Sequence, residues 1–379
     1  MNGAHALAYY ADDPTRSYQL IQWLEVLEVL DAQQPVALVV RDPDVAAILR
    51  DRTRLSIFLA PTFSELTELY AALEAKVVLY CNNSALNFQS LVNGEMLHVH
   101  INHGESDKQS MASNNAKAYD RVFVAGEAAV QRHLSGLLEF DPARLVRVGR
   151  PQLDLRPAPV IEPTTRRTVL YAPTWEGDAD YNDYTSVDTI GPEIVRSVLA
   201  VPDVRVVYKP HPKVTTSLTP AIQSGHLAIL EMIAEAAARE PEAGHTTVLT
   251  GNILAVMPDC DAMVTDVSSV GLDWLYLCTD KPILITDRHC DPARFRDEVP
   301  VSHCADVVDE SNVDDLASLL TARLAQDSHH FERHAMRHFY FDDLQVGDST
   351  TRFLEAVAEL VRRRDRLVHA KAHGDAITA

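Results

Sequence analysis

A chain of 379 residues, 46% of them hydrophobic, is long enough for two ordinary domains and too apolar for a disordered protein. A formal charge of −20 excludes a general nucleic-acid binder, which carries a basic footprint. It also excludes attraction of the whole molecule to an anionic membrane, leaving only local basic patches for that purpose.

No run approaches about 18 consecutive apolar residues, so no membrane-spanning helix is expected. The first twenty residues lack a basic start followed by an apolar core, so no signal peptide is expected. Cys81, Cys260, Cys278, Cys290 and Cys304 are odd in number and lack C-x-x-C spacing, which reads as buried free thiols of a cytoplasmic protein.

In chain order, short β-like runs alternate with helical ones. Residues 17–30 have helical spacing and 35–40 read as a buried strand. Asp42-Pro43 opens a helix, 55–60 form a strand, and 62–75 a helix whose capping box is placed at Ser64 and Thr67. A strand follows over 76–81. Residues 96–102, "MLHVHIN", alternate with period two, Leu97, Val99 and Ile101 on one side and His98, His100 and Asn102 on the other. This strand is expected to stop near His103-Gly104, where glycine permits a tight turn. Strands over 121–126 and 144–149 follow.

Residues 149–167 hold four prolines and read as an interdomain linker. The pattern then restarts, with strands over 168–174 and 204–212, a strand turning into a helix over 261–277, and strands over 246–251 and 281–286. Helices are expected over 191–201, 228–240 and 349–370. The fold class is therefore α/β: two doubly wound parallel-sheet domains facing each other across a cleft. The divisions expected are 1–155, 156–345 and 346–379.

Three polar clusters fall at expected strand ends. The first is His103, Gly104, Glu105, Ser106, Asp107 and Lys108. The second, "YKPHPK", offers Lys209, His211 and Lys213 to a phosphate group, although such lysines taken alone read as solvated. The third sets Asp266, Ser268 and Ser269 where a strand gives way to a helix, an anion site or a plain helix cap. Asp266 alone reads equally as the start of a turn. Asp273, one to two turns later, can accept hydrogen bonds from ribose or sugar hydroxyls.

Other patterns weigh less. Asp178-x-Asp180 reads as an exposed acidic loop. His330, His334 and His338 recur at i, i+4 spacing but show no acid or cysteine partner in the sequence, so a solvated face is expected and no metal site. Arg362–Arg364 lie in a basic run late in the last helix, which the helix dipole explains; contact with phospholipid head groups is the minority reading. No G-x-S-x-G, P-loop or G-x-G-x-x-G stands at a strand–helix junction.

Taken in order, "NHGESDK", "GRPQLD", "LYAPTW", "VYKPHP", "MVTDVSSVGLDWLYLCTDKPIL" and "GDSTTRFLEAV" resemble the CDP-glycerol glycerophosphotransferase family of teichoic acid polymerases and primases over about residues 95–360. The resemblance implies a GT-B-type fold with two Rossmann-like domains and a final helix crossing back to the first. It implies a phosphotransferase that uses a CDP-alditol donor and a lipid-linked or polymeric glycan acceptor at the cytoplasmic face of a membrane; a fixed cationic phosphate site can replace Mg²⁺, so no cofactor and no metal are expected. It implies His103 as general base and His211 as a contact to the donor phosphates. Lys209, Lys213, Ser268 and Ser269 would surround the pyrophosphate, and Pro173, Thr174, Asp266 and Asp273 the nucleoside. Gly104, Glu105, Asp107 and Lys108 would support the base, Glu105 or Asp107 orienting it or Lys108 pairing with them. Two residues depart from the family pattern: Glu176, where an arginine often stands, and Glu105-Ser106, where Thr-Pro is usual. The alternatives are a GT-B glycosyltransferase or epimerase acting on a nucleotide sugar, and a non-catalytic nucleotide- or glycan-binding module.

Overall fold

The structure, a computed structural model, describes residues 4–177 and 179–374. The chain forms two compact units. The first comprises the residues up to Glu105, Ala112–Leu155 and those from Phe341 onward; the second comprises Ser106–Met111 and Arg156–Tyr340.

In the first unit, β1 (Ala6–Tyr10) precedes α1 (Tyr18–Ile21) and α2 (Leu24–Asp31). Then come β2 (Val36–Val40), α3 (Pro43–Arg50), β3 (Ser56–Leu59), α4 (Phe63–Leu73) and β4 (Val77–Tyr80). α5 (Asn87–Ser90), β5 (Leu97–His100), β6 (Arg121–Val124), α6 (Glu127–Gly136) and β7 (Leu145–Arg147) complete the sheet. Its order is β3-β2-β1-β4-β5-β6-β7, every pairing parallel. Alternate residues of β1 enter different cores: Ala6, Ala8 and Tyr10 one, Leu7 and Tyr9 the other. Both faces are thus covered, as a parallel sheet requires.

The second unit holds β8 (Arg167–Ala172), α7 (Gly191–Leu199), β9 (Val204–Tyr208), α8 (Pro220–Arg239), β10 (Thr246–Thr247), β11 (Ala262–Thr265) and α9 (Ser269–Leu277). β12 (Ile283–Thr286), α10 (Pro292–Glu298), β13 (Asp306–Val308), α11 (Leu316–Ala325) and α12 (His330–Phe341) follow. Its parallel sheet runs β10-β9-β8-β11-β12-β13. The long α13 (Asp348–His373) belongs to the first unit, where Phe353, Leu354, Val357, Leu360 and Val361 join the core that holds Trp23.

Several expectations are corrected. The helix expected over 17–30 breaks at Trp23, whose indole N–H donates to the Asn102 carbonyl (2.6 Å) and whose ring packs on Phe353. The capping box of α4 lies two residues earlier, at Thr62 and Glu65, with the Thr62 N–H bonded to Glu65 Oε2 at 2.8 Å. β1 and β13 have no counterpart in the sequence reading. β1 is fully buried and alanine-rich, so it shows neither alternation nor β-branched residues; β13 is a three-residue edge strand. The strand expected over 246–251 shortens to Thr246–Thr247. Of the five cysteines, Cys290 is exposed and the other four are buried free thiols.

Candidate functional site

Because all strands in each sheet run one way, the loops after them gather at one edge. In the second unit the chain leaves β8 toward β9 on one side and β11 toward β12 on the other. Ligands of open α/β sheets bind at such a switch point. The residues flanking it here are Pro173 and Thr174 after β8 and Asp266–Ser269 after β11.

Asp266 ties this point together. It is 1% exposed and accepts from the Thr174 N–H (2.7 Å), Ser186 Oγ (2.6 Å), the Ser186 N–H (3.3 Å) and Thr286 Oγ1 (2.6 Å). Burial raises its carboxyl to about 6, against the pull of those four bonds. Both oxygens are engaged inside the protein, so Asp266 fixes the loops after three strands rather than offering a carboxylate to a nucleoside. Ser186 and Thr286, which complete this knot, carried no signal in the sequence.

Ser268 stands at the N-cap of α9 but makes no capping bond, and its Oγ is buried with no hydrogen-bond partner among the described residues. A plain cap would bond its own helix. Ser269 opens the helix beside it, and Asp273 is buried one turn on. After β9, on the other side of β8, Lys209 is 4% exposed and burial lowers its pKa.

His211 is held from three sides. Its N–H donates to the Pro173 carbonyl (2.9 Å), its ring stacks on Trp175 with centroids 6.0 Å apart, and its Nδ1 accepts from the Lys213 N–H (3.2 Å). An Nδ1 that accepts carries no proton, so the neutral ring carries it on Nε2, as a donor suited to a phosphate oxygen. Lys213 Nζ lies 3.7 Å from the centre of the Trp175 ring. Trp175 carried no role in the sequence reading; the structure makes it the platform for both His211 and Lys213. Glu176 turns away to accept from Ser217 and from Thr219 Oγ1 (3.3 Å), bracing the loop after His211. Asp178 of the acidic loop lies outside the described residues.

In the first unit the switch point lies between β1 and β4. His103 reaches it: its Nδ1 is 3.3 Å from the Cys81 carbonyl, just past β4, and its ring meets Tyr18 edge-on at 6.1 Å. A carbonyl only accepts, so Nδ1 carries the proton and Nε2 is the basic nitrogen. The turn is built by Asn102, in the left-handed region at φ 52°, rather than by Gly104, and the strand ends at His100. Asn102 Oδ1 accepts from the His103 N–H at 2.8 Å.

The expected helpers of His103 are engaged elsewhere. Glu105 pairs with Arg132. Asp107 accepts from the Tyr340 hydroxyl inside the second unit, to which Ser106–Met111 belong. Lys108 lies over the Tyr184 ring (5.4 Å); burial pushes its ammonium down to about 8 while Asp266 and Asp183 pull the other way. The acceptor seen for the His103 Nδ1 proton is the Cys81 carbonyl.

Two Rossmann-like parallel-sheet units, with polar residues gathered at both switch points, place the protein in the GT-B-like fold class. Comparison with known proteins agrees. The wall teichoic acid polymerase TagF matches with a TM-score of 0.58 and 12% identity over 95% of this chain and 90% of that one. UDP-GlcNAc 2-epimerase from Neisseria meningitidis, bound to UDP-GlcNAc, matches with a TM-score of 0.60 and 11% identity over 93% and 99%. A glycosyltransferase from Rickettsia africae matches with a TM-score of 0.55 and 12% identity over 96% and 100%. No curated protein sequence matches. Residues 68–358 match the family described as CDP-glycerol:poly(glycerophosphate) glycerophosphotransferase, and the chain belongs to that family.

Proposed function

We propose that the protein transfers a glycerol-phosphate, or related alditol- or sugar-phosphate, unit from a CDP-activated donor to a hydroxyl of a cell-wall or capsule-type glycan or polymer. In this reading His103 Nε2 takes the proton of the acceptor hydroxyl. The acceptor oxygen forms its bond to the glycerol-bearing phosphorus, the bond from that phosphorus to the CMP oxygen breaks, and CMP leaves. Charge gathering on the phosphate oxygens is met by His211 Nε2–H, Lys209, Lys213, the Ser268 and Ser269 hydroxyls and the start of α9. Pro173, Thr174 and Asp273 face the nucleoside, with Asp266 holding Thr174 in place.

The observation that carries the reading, beside family membership, is the buried Ser268 hydroxyl at the start of α9, which has no hydrogen-bond partner among the described residues. A buried hydroxyl left unpaired is costly, and a ligand oxygen there relieves it. We place no metal in the transfer, because fixed cations already face the developing charge. Turnover in a chelator should equal turnover without it; loss on chelation and recovery with Mg²⁺ would overturn this part.

A donor screen tests the whole. Purified protein is given CDP-glycerol, CDP-ribitol or UDP-sugars, each with and without a teichoic-type acceptor, and nucleotide release is followed. CMP release that requires both a CDP-alditol and the acceptor is expected. Release of UDP from a UDP-sugar would assign a sugar transferase or epimerase instead. CDP binding without turnover on a range of acceptors would assign a binding module.

A further inference from the structure

The strand-end residues leave one polar cluster unused, at the other edge of the second sheet. His330 and His334 stand one turn apart on the same face of α12, with ring centroids 4.7 Å apart. The loop from α9 to β12 brings Asp280 to them. Its Oδ1 lies 2.9 Å from His334 Nε2 and 3.7 Å from His330 Nδ1. One ligand atom from each of the three lies within 4.8 Å of the others. The sequence showed the two histidines but not the acid, fifty residues away.

The arrangement is held from below. Arg333, between the two histidines in sequence, is 1% exposed. Its Nε donates to the Thr279 carbonyl (2.8 Å) and its guanidinium pairs with Asp327. That buried bond grips the residue next to Asp280, so helix and loop are registered before any ligand arrives.

We propose that Asp280, His330 and His334 form a site for a single divalent transition ion, Zn²⁺ foremost. Bonds of about 2.0–2.2 Å from imidazole nitrogen and carboxylate oxygen set ligand atoms about 3.3 Å apart around a tetrahedral ion, and the two separations here bracket that value. Two imidazoles and one carboxylate suit Zn²⁺, Ni²⁺ or Cu²⁺ and not Mg²⁺. Water takes the remaining position. The ion takes the place of the hydrogen bond between His334 and Asp280. Its effect is to clip the α9–β12 loop to α12 and stabilise the second unit. The site lies at the amino end of β12, whereas the transfer residues lie past the carboxyl ends of the strands, so the two proposals stand or fall separately.

The test uses the full chain, stripped of metal, titrated with Zn²⁺ by calorimetry at pH 7.5 and followed by thermal melting. The wild type is expected to bind one ion at this site with a rise in Tm. Asp280→Asn and His334→Ala are expected to lose affinity at least roughly tenfold, together with the Tm rise. His369 and His373 stack at 4.0 Å near the end of α13 and are the natural competitor. The His369→Ala/His373→Ala variant is expected to keep both the ion and the Tm rise. All four substitutions lie at exposed positions, and unchanged far-ultraviolet spectra check that the three variants fold. No saturation below about 1 mM, or equal binding in the Asp280 and His334 variants, overturns the site.

Discussion

His103 and His211 are set in opposite tautomers by one backbone group each, a carbonyl at Cys81 and an amide at Lys213. The same side chain is thereby set to accept a proton at Nε2 in one place and to donate one in the other. His103→Ala should lower kcat by roughly 100-fold or more while CDP affinity, read by calorimetry, stays near that of the wild type. His211→Ala should weaken both, and His211→Asn should recover part of the binding because its amide still donates. A His103→Ala variant that keeps most of its turnover would remove His103 as the base. Lys108 adds a pH signature. Its folded-state value of about 8 lies below the ordinary 10.5, so between those limits the folded chain binds fewer protons than the unfolded one. The charged form therefore costs stability below about pH 8, and this cost is relieved as pH rises through the window. A diphosphate bound near Asp266 favours the charged form again. CDP binding near pH 8 should accordingly take up protons, measured in buffers of different ionisation enthalpy, and Lys108→Met should take up fewer. Equal uptake by the two proteins would separate Lys108 from the donor.

Among the elements, α13 shows how two distant sequence blocks become one structure. Gly347 supplies no side-chain cap, so Asp154 does so from outside the helix, accepting from the Gly347 N–H (2.7 Å) and the Thr350 N–H (2.6 Å). Gly149 lets that segment approach: its φ is +74°, and a Cβ there would lie 2.2 Å from Ser349 Oγ and 2.5 Å from Leu344 Cδ1. Gly149→Ala should cost roughly 2–4 kcal/mol, from left-handed strain plus overpacking, and Asp154→Ala about 1–2 kcal/mol from the lost cap. Urea unfolding measures both; a Gly149→Ala protein as stable as the wild type would contradict the packing seen here. The alternation of strand and helix was legible in the chain because apolar runs and Asp-Pro or Gly-Pro starts are local signals. The "GRPQLD" and "GDST" blocks were legible as a resemblance, but not as a cap and its helix, since no local signal spans about 190 residues. The same limit hid Asp280 from His330 and His334, and the Cys81 carbonyl from His103. It hid the four bonds that make Asp266 a knot. The turn before His103 was assigned to glycine because glycine is the usual left-handed residue; Asn102 takes it with its own side chain bonded to the next amide.

For the molecule as a whole, 54 acidic residues against 34 basic ones leave little to attract an anionic surface. The basic run late in α13 is where the minority reading put contact with head groups, and the structure pairs three of its four arginines with acids. Arg362 and Arg366 meet Glu359, Arg364 meets Asp365, and Lys371 meets Glu95. A free Lys or Arg beside an anionic leaflet contributes about 1 kcal/mol, and that gain disappears when an acid already neutralises the charge. The protein should therefore fail to sediment with phosphatidylserine vesicles at about 0.15 M salt. The Glu359→Gln/Asp365→Asn variant releases three arginines on one stretch of helix without touching a strand-end residue. It should bind the same vesicles at low salt and leave them as salt is raised, because exposed charges are screened within about 10 Å at 0.1 M. Binding by the wild type would mean that the ion pairs do not cancel the run. No binding by the variant would mean that the net charge of the chain outweighs any local patch, and contact with a lipid-linked acceptor would then rest on recognition of the acceptor itself.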